Sequence, residues 1–145
     1  PTLLSLAGLG DKIPSSAEGR DLSPVLLENG ADCDVPQAVL YIRNVNGELG
    51  ADGMVHGFFP VARGIRTSTH TMEITINRDG SLKRVLMFND KEDPYQMHNI
   101  DYKDNPELFR SLCETLAAKL EEANDIWHRE NTLDKALESA GCPGH

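Results

Sequence analysis

VARGIRTSTHTMEITINRDGSLKRVLMF, residues 61–88, decides the fold. Its runs VARGIRT (61–67) and THTMEITI (69–76) have the alternating, β-branched character of half-buried strands and are separated by a very short connection. Asn77-Arg78-Asp79-Gly80 then turns the chain tightly, because Asp-Gly tolerates positive φ, and LKRVLMF (82–88) follows as another strand. Upstream, AVLYIRNV (38–45) has the same composition and ends at Asn46-Gly47, a turn signal, after which a Gly-rich loop runs to Pro60.

Downstream, Asn105-Pro106-Glu107 supplies a helix cap, a proline at the first helical position and an acidic first turn. Leu108, Leu112, Leu116 and Leu120 recur every four residues, and Phe109, Ala123 and Trp127 fill out one apolar stripe. A shorter helix is expected over Thr132 to Ala140, stopped by Gly141. The class is therefore α+β: a four-stranded antiparallel sheet packed against a long C-terminal amphipathic helix. At the other end, LLSLA (3–7) closes at Gly8 and Gly10, and Asp21 caps a short turn or helix through Leu27 that stops at Asn29-Gly30.

The chain has 145 residues, the size of one domain, with 14 basic and 23 acidic residues and a net charge of −9. That charge repels a phosphate backbone, so nucleic acid is not an expected partner. No apolar run approaches the roughly 20 residues of a membrane span. Cys33, Cys113 and Cys142 fall in no metal-type pairing, and one bridge among them remains open. The start at Pro1-Thr2-Leu3-Leu4, without Met, is that of an excised piece whose export signal would lie upstream.

Three segments, in order, resemble the C-terminal region of formylglycine-dependent sulfatases of the alkaline-phosphatase-like superfamily. The first is Pro1-Thr2-Leu3-Leu4-Ser5-Leu6-Ala7-Gly8-Leu9 with Gly19-Arg20-Asp21-Leu22-Ser23-Pro24. The second is Arg63-Gly64-Ile65-Arg66-Thr67, although His70 and Met72 stand where that family usually has aromatic residues. The third and most specific runs from Leu86-Met87-Phe88-Asn89-Asp90 through Glu92-Asp93-Pro94-Tyr95-Gln96-Met97-His98-Asn99-Ile100. In it, Asp93-Pro94 sets a turn and Asn99 caps backbone groups before the Leu-rich helix. The resemblance implies that residues 1–30 are the tail of a linker from a catalytic domain and 31–145 the C-terminal subdomain. It also implies a parent enzyme exported to the periplasm or beyond.

The same resemblance implies a reaction that needs a formylglycine, made from a C/S-x-P-x-R motif, and a calcium ion. Neither belongs to this chain: Cys33 is followed by Asp34-Val35-Pro36-Gln37, and Cys142-Pro143-Gly144-His145 also fails the motif. Asp32 with Asp34 and the Asp90-Lys91-Glu92-Asp93 cluster lack calcium-loop spacing and read as solvated turns. His70 and His98 read as structural hydrogen-bonding residues, Phe109 and Trp127 as core, and Cys113 as buried filler.

Two residues are candidates for substrate binding. His56, between Gly53 and Gly57, would donate a hydrogen bond or proton near a sulfate ester, and Arg63 would pair with an anionic group. On residue type alone, an exposed loop histidine and a strand arginine paired with a surface acid are the commoner outcomes. The expected function is that of a sulfatase subdomain, inactive alone, that braces its own N-terminal catalytic domain and borders the cleft for a sulfated small molecule or glycan. Its alternatives are the same part of a related phosphohydrolase or phosphoglycerol transferase, and a stand-alone interaction module. Isolated, the piece is expected to self-associate through its N-terminal apolar surface.

Overall fold

Gly80 lies at φ +84°, where a Cβ would be strained, and lets the chain fold back so that the Asn77 amide reaches the Ser81 carbonyl at 2.9 Å. Asp79 completes the turn by accepting hydrogen bonds from the Ser81 amide and hydroxyl. The computed structural model describes residues 1–27, 35–44, 48–49, 51, 55–56 and 61–142, with the backbone alone at 48–49 and 55–56. The Asn29-Gly30 stop, Cys33, the Asp32 and Asp34 pair, the Asn46-Gly47 turn and Pro143 to His145 lie outside the described residues.

Two units make up the chain, Pro1–Pro36 and Gln37–His145. In the first, α1 (Thr2–Leu6) is followed by Gly8 at φ +72° and a 3-10 turn over Gly10–Lys12. Asp21 accepts from the Ser23 amide at 2.9 Å where α2 (Ser23–Leu27) begins, the capping role expected of it.

In the second unit the strands are β1 (Ala38–Arg43), β2 (Glu48–Leu49), β3 (Val55–His56), β4 (Ala62–Thr67), β5 (His70–Ile76) and β6 (Leu82–Asn89). The main sheet has the order β1-β4-β5-β6, antiparallel throughout. The Gly-rich loop also holds a small second ladder between β2 and β3, whose two-residue strands are too short to register as a sequence period. At the β4–β5 connection the Thr67 hydroxyl accepts from the amides of Thr69 and His70, which lets the strands reverse over two residues. Gly64 serves close approach rather than unusual backbone: a Cβ there would stand 2.5 Å from the Met72 carbonyl oxygen across the ladder.

One face of this sheet carries Ile65, Met72, Ile74, Val85 and Met87, all buried. Against it lies α3 (Pro106–Glu122), which buries Phe109, Leu112, Cys113, Leu116 and Leu120. Asn105 occupies the cap position, but its side chain makes no cap bond and instead donates to the Asp101 carbonyl at 3.0 Å. The stripe expected to run on to Trp127 is interrupted. Helix α3 stops at Glu122 because Asn124 turns left-handed at φ +47°, and the Asp125 amide closes back onto the Leu120 carbonyl at 2.9 Å. Ala123 is exposed, whereas Trp127 reaches the core from a separate helix, α4 (Ile126–Arg129). Helix α5 (Thr132–Ser139) buries Leu133 and Leu137 and ends before Gly141 at φ +70°, as expected. Cys113 and Cys142 are free thiols, and burial pushes the Cys113 thiol up to about 12.

The segment after β6 is held by side chains acting on backbone. Asp93 accepts from the Met97 and His98 amides at 3.0 and 2.7 Å, and Gln96, just before them in the chain, sits at φ +54°. Asn99 caps a backbone group ahead of α3, as expected: its side-chain oxygen accepts from the Met87 amide at 2.9 Å and extends the edge of β6. Asp90 is not a solvated turn residue either: only 8% of its side chain is exposed, and it takes hydrogen bonds from Thr71 and Gln96.

The Met97 and His98 amides hold the Asp93 carboxyl below its ordinary 3.8. A carboxylate whose folded pKa is depressed contributes stability that is fully present above the unfolded pKa and is lost as pH falls through the folded one. Asp93→Asn is therefore expected to lower the urea midpoint at neutral pH, with the gap to the parent closing as the solution is acidified. A gap that stays constant across that titration would remove Asp93 from the acid response.

Candidate substrate-facing end of the sheet

Register fixes which loops meet. Arg43 stands opposite Ala62, and Ala62 opposite Thr75, so the exit of β1, the entry of β4 and the turn between β5 and β6 share one end of the sheet. The segment that carries His56 leaves and rejoins the sheet at this end. His56 itself lies on β3, its backbone opposite Glu48.

Arg63 starts at this same end but points inward, since it shares the helix-covered face with Ile65 two residues on. Its side chain is wholly buried, with Nε and Nη2 each 3.0 Å from one carboxylate oxygen of Asp125, and Nη1 donates to the Ala62 carbonyl at 3.0 Å. The guanidinium carbon lies 5.2 Å from the centre of the Trp127 ring. Asp125 also accepts from the Trp127 amide at 2.9 Å and so starts α4. One carboxylate thus fixes both a strand arginine and a helix terminus.

Arg63 does pair with an acid, but not with the surface acid weighed from the sequence: Asp125 is interior, with 9% of its side chain exposed. Nothing in the apolar periodicity of the sequence singles out Asp125 as the partner of Arg63. The signal available was local: an Asn able to turn left-handed, then an Asp two residues before an aromatic, marks a helix end followed by a new cap. The side chain of His56 lies outside the described residues.

The other basic residues of the sheet mostly answer to acids on its outer face. Glu73 takes Arg43 at 2.9 Å and Arg84 at 3.5 Å, and Arg66 lies 3.8 Å from Asp90. His70 is hydrogen-bonded through Nδ1 to the Thr69 hydroxyl at 2.9 Å, a structural role as read from the sequence. Among the described residues, no three His, Cys, Asp or Glu side chains come together to hold a metal ion.

No protein-family model matches the chain. A curated relative, the endo-4-O-sulfatase of Bacteroides thetaiotaomicron, is 40% identical over 138 residues, covering 94% of this chain and 27% of its own length. A solved structure from the glycosaminoglycan metabolism of Bacteroides thetaiotaomicron matches at 39% identity and a TM-score of 0.74, over 94% of this chain and 28% of that one. A second, solved with its substrate D-glucosamine-2-N,6-O-disulfate, matches at 26% identity and a TM-score of 0.61, over 87% of this chain and 24% of that one. The chain thus spans about a quarter of the length of the proteins it matches.

Proposed function

We propose that this chain, which matches a C-terminal part of a sulfatase, closes one side of the substrate cleft of an enzyme that hydrolyses sulfate esters on saccharides. The observation that carries this reading is the alignment of 94% of the chain with about a quarter of an endo-4-O-sulfatase at 40% identity. The alternative of a phosphohydrolase subdomain is not favoured by these relatives.

The division of labour follows from what the chain contains. Residues 1–30 are the tail of a linker, and the remainder is a scaffold whose sheet end presents the segment around His56 to the catalytic domain. The described residues do not fit a divalent cation site, and the sequence has no C/S-x-P-x-R motif. Formylglycine and calcium, which supply the nucleophile and the charge stabilisation of sulfatases, belong in this reading to the catalytic domain. The piece alone is inactive.

Within that arrangement His56 donates a hydrogen bond to the sulfated saccharide. Arg63 acts through the fold: it ties the entry of β4 to α4 and so holds the sheet end at which the His56 segment is anchored.

In the intact enzyme, His56→Ala is expected to lower kcat/KM on a sulfated saccharide by about tenfold to a hundredfold, the worth of a hydrogen bond to a charged group. Unchanged kcat/KM removes His56 from the substrate. The reading as a whole is tested upstream of Pro1, where a C/S-x-P-x-R motif in an α/β domain is expected and an unrelated domain would overturn it.

A further inference from the structure

At the sheet end that carries the His56 segment, a second feature opens between the β5–β6 turn and helices α4 and α5. It is an open cleft of about 610 Å³, with Val61 and Ile76 on its floor. That volume lies within the usual range for small-molecule sites, about 300–1,000 Å³. Arg78 from the turn and Lys135 from α5 both line it.

The charges of this cleft differ from those of the rest of the sheet. Arg43, Arg63, Arg66 and Arg84 each have a carboxylate within 4 Å. Arg78 and Lys135 have none among the described residues, in a chain whose net charge is −9. The Lys135 ammonium is held at its place by the Glu130 carbonyl at 2.7 Å, which leaves two of its three donors for other partners. Asp79, the acid nearest Arg78 in sequence, is already engaged by Ser81 within the turn. Glu130 adds an acceptor on the same cleft, and Ile126, 43% exposed, adds apolar surface.

Two cations with free donors, one carboxylate acceptor and an apolar floor suit a molecule bearing anionic groups, hydroxyls and C–H faces together. An inorganic anion would not use the acceptor or the floor. We infer that the Arg78 and Lys135 cleft is a binding subsite for the non-reacting part of a sulfated saccharide chain, next to the sugar whose sulfate is removed. This rests on the reading of the chain as a sulfatase subdomain. It extends that reading from one sugar to a chain of them, because interactions with remote parts of a substrate are realised only when those parts are present.

The test compares a sulfated glycosaminoglycan polymer with the sulfated disaccharide prepared from it, using the intact enzyme and its R78A/K135A variant. The ratio of kcat/KM on the polymer to that on the disaccharide is expected to fall about tenfold or more in the variant, mainly through KM. The dependence of polymer KM on salt is expected to weaken with it. An active enzyme whose ratio is the same in parent and variant overturns the subsite and leaves the sulfatase reading standing. An intact parent enzyme that hydrolyses neither substrate overturns that reading, and the subsite with it. Polymer binding measured by affinity electrophoresis is independent of turnover, and a variant that binds as tightly as the parent also overturns the subsite.

Discussion

Arg63→Met is expected to lower the stability of the Gln37–His145 unit by about 3–5 kcal/mol, because it leaves the Asp125 carboxylate inside the protein without its cation. With a urea slope of about 2 kcal/mol per molar, the unfolding midpoint falls by about 2 M. The size of the effect comes from the carboxylate left behind more than from the contact removed. Only 9% of the Asp125 side chain is exposed, so water replaces little of what the guanidinium supplied. Its remaining described partner is the Trp127 amide. Two companions make the argument specific. Arg63→Lys keeps the charge but not the two parallel donors, and is expected to fall between parent and Arg63→Met. The double variant R63M/D125L removes both charges and is expected to recover much of the loss. A loss under about 1 kcal/mol for Arg63→Met would match an exposed pair and contradict the burial on which the prediction stands.

The same ion pair marks where reading the sequence stopped. Period-two alternation and the Asp-Gly turn identify β4, β5 and β6 because those signals are local, and each strand lies within a residue or so of its expected place. The Leu repeat identifies α3 for the same reason. What decides the end of α3 is a left-handed Asn124 and a closing bond to Leu120, and neither alters the apolar spacing that carried the stripe on to Trp127. The partner of Arg63 lies 62 positions along the chain, and no periodicity reports such a pairing. The end of the sheet that is proposed to face substrate was only half legible. The sequence directs attention to the loop that carries His56, but it shows Arg78 only as part of the Asn77-Arg78-Asp79-Gly80 turn, and nothing in it singles out Lys135. They become a pair only when strand register brings the β5–β6 turn to the end of the sheet where that loop begins.

Trp127→Ala is the second large effect expected, about 3–5 kcal/mol for a ring that is 2% exposed, through lost burial and the cavity left beneath α4. Its action should be separable from that of Asp125. The cap on α4 uses the Trp127 backbone amide, which alanine retains, so the helix start survives while the core contact is lost. The ring also carries the Arg63 guanidinium on its face at 5.2 Å. Removing the ring therefore loosens Arg63, and removing Arg63 leaves the ring with a poorer neighbour. Two residues that share one contact do not lose stability additively: the R63M/W127A double variant is expected to lose about 0.5–3 kcal/mol less than the sum of the single variants. A double-mutant cycle by urea unfolding measures that difference directly. Additivity within about 0.5 kcal/mol would mean that ring and guanidinium act independently. The tie of Arg63 to helix α4 would then run through Asp125 rather than through the ring.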